Sequence, residues 1–312
     1  MTTVDTLGAM ERLREANELL DDHDRLRRRL DDDGYLFFRE VIDTAAIDAM
    51  RDSMLAILAE HGIVEPGSSE SVWTGKQPER SDPVHELMYG AAHWRTLVAD
   101  PSFQRLCERV FGEAAFWLDR TTHRYTPPTS EDPSRPSHGK SFFHQDAVGL
   151  YGLRCLTFWV PLMAIGETLG GLAVAPRTHA LGMLHHGPTL DISAEDIPRT
   201  TWFRADYRPG DALLMDPMTV HVGLPNRSPD RVRLSVDMRA QPVSDPRPAF
   251  LSWTAKENSD FTRIGRGILV EEGVPDALFE PAFFRMRDRQ VDLGDRDAVR
   301  AVIAEAAGGP HR

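Results

Sequence analysis

The spacing of hydrophobic positions changes twice along the chain. Between residues 13 and 112 the apolar residues recur at helical spacing, with Asp43 as a predicted N-cap and Gly62 as the end of one helix. Pro101 and Gly112 bracket a second predicted helix. From residue 114 the apolar runs become short, rich in β-forming residues and separated by Gly and Pro. After residue 246 the chain returns to helix and loop.

Short strands without intervening helices predict an antiparallel sandwich, jelly roll or barrel. We therefore expect a mainly β protein with surrounding helices. Its parts within a single domain of residues 1–312 are a mainly helical N-terminal part (1–113), a β core (114–245) and a C-terminal extension of helices and loops (246–312). Two long stretches without a period, 64–83 and 127–141, are expected to be mobile and to close as lids on binding.

Composition narrows the class of protein. The 312 residues are 41% hydrophobic and 27% charged, which is typical of a globular protein with an ample core. A net charge of -12 argues against a nucleic-acid partner. No apolar run approaches the roughly 20 residues that cross a bilayer, and the first residues lack an apolar signal core, so we expect no membrane partner. Cys107 and Cys155 fit a reducing cytoplasm and are too few for a thiolate metal site.

One short stretch, "SFFHQDAVG", places His144 and Asp146 two positions apart in an apolar run. Residues two apart on a strand project from the same face, so this pair can bind one ion while Gln145 points away. A bare His-x-Asp is weak evidence, because chance matches are expected in a chain with 12 histidines. His221, in the apolar stretch "TVHVGL", is either a hydrogen-bonded core histidine or the third ligand. Two histidines and one carboxylate suit a non-haem Fe(II) oxygenase, and zinc is the alternative metal.

The stretch "RVRLSVDMR" alternates strictly between polar and aliphatic residues. Its polar face carries Arg231, Arg233, Ser235, Asp237 and Arg239. An antiparallel strand with one face in water would show this pattern. A strand whose polar face lines a barrel interior would show it too, and an arginine there can bind a carboxylate through two parallel hydrogen bonds. Alternation alone leaves both interpretations open.

Several motifs together resemble the phytanoyl-CoA dioxygenase (PhyH) family: "FHQD", "GGLAVAP", "PGDALLMDPMTVHVGLPNRS" and "RVRLSVDMR". The resemblance covers about residues 28–245 and implies a double-stranded β-helix, a jelly-roll or cupin-like core. It implies an Fe(II)- and 2-oxoglutarate-dependent dioxygenase that consumes O2. It also implies that His144, Asp146 and His221 bind the iron and that Arg233 pairs with the far carboxylate of 2-oxoglutarate.

Further residues follow from the same resemblance. Those expected near the cosubstrate are Gln145, Thr157 and Trp159. The resemblance also places Arg124 in a substrate or cosubstrate pocket. Two further candidates for that pocket rest on position alone: Arg239, on the polar face of the alternating stretch, and Trp73, in the 64–83 stretch, which is either a pocket residue or a packing residue. The implied reaction hydroxylates an unactivated C–H bond of a small to medium-sized metabolite, of the kind made in secondary metabolism, and releases succinate and CO2. Desaturation, epoxidation or cyclisation would use the same residues, and no catalytic side chain is expected beyond the metal centre.

Two other classes of function remain open at this stage. One is a cupin-like metal-dependent isomerase or hydrolase without O2 chemistry, which would have no need of Arg233. The other is a non-catalytic β-sandwich binding protein, in which the histidines are structural. Stabilisation by 2-oxoglutarate distinguishes the first class, and metal analysis distinguishes the second. We expect a small-molecule partner, and the sequence does not indicate an oligomeric state.

Overall fold

The computed structural model describes residues 7–76, 84–91, 93–129, 142–150, 155–184, 192–247 and 255–308. The helices are α1 (His23–Asp33), α2 (Thr44–Glu60), α3 (Val84–Gly90), α4 (His93–Ala99), α5 (Pro101–Phe111), α6 (Ala147–Leu150), α7 (Ala255–Glu271), α8 (Asp276–Asp288) and α9 (Arg296–Gly308). The strands are β1 (Glu11–Arg12), β2 (Tyr35–Phe38), β3 (Ala115–Thr126), β4 (Leu156–Pro161), β5 (Gly171–Val174), β6 (Phe203–Arg204), β7 (Ala212–Met215), β8 (His221–Leu224) and β9 (Arg233–Pro242). Among these helices, none has the length and apolar composition to span a membrane.

The strands form two sheets that pack face to face. One sheet has the order β1-β6-β5-β8 and the other β2-β7-β4-β9-β3. Neighbouring strands run antiparallel except for the short pair β1 and β6. Leu172 of the first sheet shares a buried apolar cluster with Phe37 and Leu213 of the second, which shows that the sheets face each other. This two-sheet arrangement confirms the fold class expected from the sequence.

The alternation of β9 separates two different environments. Leu234, Val236 and Met238 are fully buried against the helices that cover the outer face of the larger sheet. Arg233 and Arg239 lie on the opposite face and are also buried, each about 7% exposed. Because both faces are buried, the interpretation of a half-solvated strand is wrong. The polar face of β9 lines the space between the sheets.

Aromatic and aliphatic side chains form a buried apolar cluster between the sheets. Trp159 packs edge-on against Tyr207, with ring centroids 4.6 Å apart. The Tyr207 hydroxyl donates to the carbonyl oxygen of Leu172 at 2.6 Å, which satisfies its polar group inside the apolar cluster. The polar residues of β9 and their partners adjoin this cluster, and the candidate site lies among them.

The N-terminal part is less helical than the spacing of its leucines predicts. Glu11 and Arg12 pair with Phe203 and Arg204 as a strand, and α1 begins only after Asp22, whose side chain accepts from the Arg25 amide at 3.0 Å. The segment β2 pairs with β7 in the larger sheet. The first 113 residues therefore contribute an outer strand to each sheet. Their leucine spacing could not reveal this, because a short edge strand is defined by its partner.

The helix ends were predicted correctly where a cap defines them. Asp43 accepts from the Ala45 amide at 2.8 Å at the start of α2. Pro101 is the first residue of α5, and Gly112 ends that helix in the left-handed conformation, with φ of 74°. Both signals are local, so they need no tertiary partner to operate.

Part of the first expected lid is fixed to the β core by backbone hydrogen bonds. The Trp73 amide donates to the Asp230 carbonyl at 2.7 Å, and the Val232 amide donates to the Ser71 carbonyl at 2.9 Å. These bonds hold residues 64–76 against the turn before β9. The rest of that loop and residues 130–141 of the second expected lid lie outside the described residues, so lid closure remains a prediction.

Helices α7–α9 form a cluster of their own. Leu269, Phe283 and Val299 are among its buried residues. Two side chains from the β core, Met183 and Met218, pack against this cluster. The C-terminal extension is thus joined to the rest of the protein close to β8.

Candidate metal centre

The three predicted ligands meet where two chain segments form a single bridge. The His144 amide donates to the His221 carbonyl at 3.1 Å, and the His221 amide donates to the His144 carbonyl at 3.0 Å. His221 is the first residue of β8, but residues 142–150, the described part of the segment around His144, make only this β-bridge and then turn at Asp146 into α6. The expected strand at "SFFHQDAVG" is therefore wrong. Its prediction that His144 and Asp146 point together is nevertheless correct.

The side-chain geometry fits one metal ion. The Nε2 atoms of His144 and His221 each lie 3.8 Å from Asp146 Oδ1, and one ligand atom from each of the three residues lies within 4.8 Å of the others. An ion between them, about 2 Å from each ligand atom, can reach all three after a slight closure. The Nδ1 atoms lie 3.1 Å from the Phe142 carbonyl and 3.0 Å from the Thr219 carbonyl. These contacts leave both Nε2 atoms as the ligand atoms.

Asp146 is held by two partners on its second oxygen. The Thr157 hydroxyl donates to Oδ2 at 2.6 Å and Arg239 Nη2 donates to it at 3.1 Å, which leaves Oδ1 for a metal. Burial alone would raise the pKa of Asp146, but Arg239 and the two histidines outweigh it and hold that pKa below its usual range. The carboxylate is therefore ionised at neutral pH, as a metal ligand must be.

His144 is held in its neutral form. Burial lowers the pKa of His144 to about 3, and the neighbouring His221 contributes in the same direction. A neutral imidazole is the form that binds a metal, so the site needs little or no deprotonation at neutral pH.

We expect the stability of the metal-free protein to fall as the pH falls below 6.5. In the unfolded chain His144 takes up a proton near its ordinary pKa of 6.5, whereas the folded protein resists protonation down to about 3. Between these values the unfolded state binds more protons, which lowers the free energy of unfolding by up to about 1.4 kcal/mol per pH unit. Denaturant unfolding of chelator-treated protein across this range measures the slope. His144→Gln should flatten it, and an equal slope in that variant would contradict the assignment.

A pocket with both polar and apolar walls extends from the metal ligands along β9 to Arg233. Its walls include Thr126, Phe142, Thr157, Trp159, Leu172, Met215, Ser235 and Asp237. Thr157 and Trp159 thus line the pocket, and Thr157 also holds Asp146. Their contact with a cosubstrate stays a prediction. The sequence analysis did not assign Thr126, Phe142, Leu172 or Met215. Alternation along β9 put Ser235 and Asp237 on one face and left open whether that face lines a barrel interior or faces water.

Arg233 is a buried cation at the end of the pocket. Its Nη1 donates to the carbonyls of Leu169 at 2.8 Å and Leu224 at 2.7 Å, while Nη2 lies 3.3 Å from the Thr126 hydroxyl. Burial lowers the pKa of Arg233 to about 10, with Arg124 adding to the effect, so it remains charged at neutral pH. Within the described residues it forms no ion pair with a carboxylate. A buried guanidinium of this kind is suited to bind an anion.

Arg124 and Asp237 form an ion pair within the same pocket. Arg124, about half-exposed, donates from Nε and Nη2 to Asp237 Oδ2 at 2.7 and 2.6 Å. The other oxygen of Asp237 is buried and has no hydrogen-bond partner among the described residues. The pocket wall therefore carries a second guanidinium, whose charge is paired with Asp237.

Three predicted residues lie outside this pocket. Arg239 braces Asp146 and is not among the lining residues. The Trp73 indole donates to the Lys76 carbonyl at 2.9 Å and packs against the helical layer. The Gln145 side chain points away from the ligands and bonds to backbone groups of residues 182–184 and 218. The geometry therefore gives no support to a cosubstrate contact by Gln145 or a substrate contact by Trp73.

Two histidines and a carboxylate between the sheets of a jelly roll define the class of non-haem metal enzymes with open coordination positions. The chain belongs to the phytanoyl-CoA dioxygenase (PhyH) family, whose sequence profile matches residues 30–234. This membership, together with the ligand set, confirms the predicted enzyme class, a non-haem iron and 2-oxoglutarate-dependent oxygenase.

Individual relatives agree with the family. The 1-deoxypentalenic acid 11-beta-hydroxylase of Streptomyces arenae is 32% identical over 247 residues, covering 73% of this chain and 84% of that protein. The enzyme of the same name from Streptomyces exfoliatus is 29% identical over 246 residues, with the same coverage. A crystal structure of the epimerase SnoN with Fe3+, alpha ketoglutarate and nogalamycin RO matches with a TM-score of 0.55 at 22% identity. That match covers 75% of this chain and 91% of SnoN, and it shows the shared fold.

Proposed function

We propose that the protein hydroxylates an unactivated C–H bond of a small or medium-sized metabolite in secondary metabolism, using Fe(II), 2-oxoglutarate and O2. One observation carries this proposal. The His144, Asp146 and His221 cluster occupies one end of a buried pocket, and Arg233, a cation without an acidic partner among the described residues, occupies the other. A metal-dependent isomerase or hydrolase would need the first feature but not the second.

Each end of the pocket has a separate role in this proposal. The three ligands hold iron through His144 Nε2, His221 Nε2 and Asp146 Oδ1. Arg233 binds the far carboxylate of 2-oxoglutarate. Iron, 2-oxoglutarate and O2 supply the oxidising chemistry, in which one oxygen atom enters the substrate and the other enters succinate as CO2 leaves. The protein itself positions the reactants and excludes water.

Side chains around the ligands support that positioning. Thr157 and Arg239 fix Asp146 so that only Oδ1 faces the metal. Trp159 and Met215 give the pocket an apolar wall that excludes water. No described side chain is needed as a general acid or base for this reaction.

The substrate proposed is a metabolite that carries a carboxylate. The named substrate of the two Streptomyces relatives is an acid. In this chain Arg124 lies half-exposed in the pocket, where its guanidinium can meet an acidic group. Its pairing with Asp237 pre-orients the guanidinium before a ligand arrives.

We expect succinate release to depend on Fe(II), 2-oxoglutarate, O2 and an acidic substrate. The assay measures succinate and product mass with 1-deoxypentalenic acid and a panel of related acids and their methyl esters. The expected product is heavier by one oxygen atom, forms in equal amount to succinate and is made poorly from the ester. Iron binding without stabilisation by 2-oxoglutarate would favour an isomerase or hydrolase, and absence of iron binding would favour a binding protein.

A further inference from the structure

Gln145 lies between the two ligands His144 and Asp146 and is fully buried, with 0% exposure. Its Nε2 donates to the carbonyls of Gly182 at 2.8 Å and Met218 at 2.6 Å. Its Oε1 accepts from the Leu184 amide at 2.8 Å. The side-chain amide thus bonds to two other segments of the chain, on the side away from the metal.

One of these segments leads directly to the third ligand. Met218 precedes His221 by three residues, so one hydrogen bond of Gln145 ties the first ligand segment to the approach of the third ligand. The backbone bridge between His144 and His221 is the second tie. A displacement of Met218 relative to Gln145 would therefore move the ligands relative to one another.

The same segments are in contact with the C-terminal helices. Met183 and Met218 pack against the buried cluster of α7–α9. The match to the family profile ends at residue 234, before these helices begin. Gln145 connects them to the metal ligands through directional hydrogen bonds.

We propose that Gln145 is a positioning residue through which the C-terminal helix bundle sets the affinity of the metal centre for iron. This inference rests on the iron site of the proposed function. Residues that orient metal ligands from behind change metal affinity by roughly 10- to 100-fold when replaced. Loss of the amide frees the 182–184 and 218 segments from the ligands, so the ligand cluster is no longer preorganised.

The first test is the dissociation constant of Fe(II), measured anaerobically by competition with a chelator. Gln145→Met keeps the volume of the side chain but removes its hydrogen bonds, and it should weaken Fe(II) binding by roughly 10- to 100-fold. Gln241→Met is the matched control, because Gln241 is also buried and donates to two backbone carbonyls, those of Asp245 and Pro246 at 3.1 Å. Both variants should lower the melting temperature, but only the first should weaken iron binding.

The second test asks whether the bundle acts through Gln145. Leu269→Ala, in the core of the bundle, should weaken Fe(II) binding in the wild-type background and have little further effect in Gln145→Met. Leu58→Ala is the control, because Leu58 is equally buried in the helical layer on the other side of the larger sheet. It should reduce stability without changing iron affinity. Additive effects of Leu269→Ala and Gln145→Met would contradict coupling.

Hydrogen exchange on the wild-type protein tests the inference even if a variant fails to fold. Fe(II) should slow exchange of the Leu184 amide and of helices α7–α9, while α2 should be unaffected. Protection confined to the ligand segments would overturn the proposal. If the wild-type protein fails to bind Fe(II), the proposed function fails. If it binds and Gln145→Met binds equally well, only the present inference fails.

Discussion

Asp146→Ala should eliminate Fe(II) binding and turnover while the protein remains folded. Asp146 is the only anionic ligand of the cluster, and its replacement leaves two neutral imidazoles facing the pocket. Arg239 loses a partner at 3.1 Å but keeps Asp237, at 3.8 Å, as a neighbouring carboxylate. We therefore expect a measurable loss of stability together with complete loss of activity.

Iron stoichiometry, turnover and circular dichroism measure these three effects separately. Asp230→Ala is a suitable control, because this carboxylate is exposed and its ion pair with Arg231 lies outside the pocket. His144→Ala should also lose iron, since it removes a ligand at the other side of the same ion. Wild-type activity in either ligand variant would show that the cluster is not the metal centre.

Arg233→Ala should bind Fe(II) normally but require far more 2-oxoglutarate. Removing one partner of a buried charge pair costs roughly 2–5 kcal/mol, which corresponds to a rise of about 30-fold or more in the 2-oxoglutarate KM. Arg233→Lys should recover only part of this loss, because lysine keeps the charge but not the two-pronged geometry. The measurement is KM for 2-oxoglutarate at saturating Fe(II), alongside the dissociation constant of Fe(II).

The other arginines of the "RVRLSVDMR" stretch serve as internal controls. Arg231 pairs with Glu70 and Asp230 outside the pocket, so Arg231→Ala should leave both constants nearly unchanged. Arg239 supports Asp146, so Arg239→Ala should weaken Fe(II) binding more than 2-oxoglutarate binding. A large rise in the 2-oxoglutarate KM for Arg231→Ala, with none for Arg233→Ala, would falsify the assignment.

Sequence reasoning succeeded where the cause is local or periodic. Asp43, Pro101 and Gly112 marked helix ends because capping acts within one turn of the chain. The two-residue spacing of His144 and Asp146 placed both side chains on one side, although the segment forms a bridge and a turn instead of a strand. The ligand types themselves were fixed by composition, since two buried cysteines cannot form a thiolate site.

Sequence reasoning failed where a residue's role depends on its partner. Gln145, Arg239 and Trp73 were all expected near a ligand, yet their hydrogen bonds go to Met218, Asp146 and Lys76. The type of a side chain does not reveal which backbone carbonyl or carboxylate the fold will place beside it. The two edge strands in the N-terminal part were missed for the same reason.

The sequence by itself determined the alternation of β9, the candidate ligand residues and the family motifs, because all three follow from residue types and short spacings. Only the tertiary structure decided which face of β9 lines the pocket and which of its arginines pair with carboxylates of the protein. Helices pack on Leu234 and Val236, so Arg233, on the opposite face of the strand, points between the sheets. Arg231 instead pairs with Glu70 outside the pocket. Burial and ion pairing depend on what the fold brings within a few ångströms, and a periodic pattern is the same on either side of a sheet.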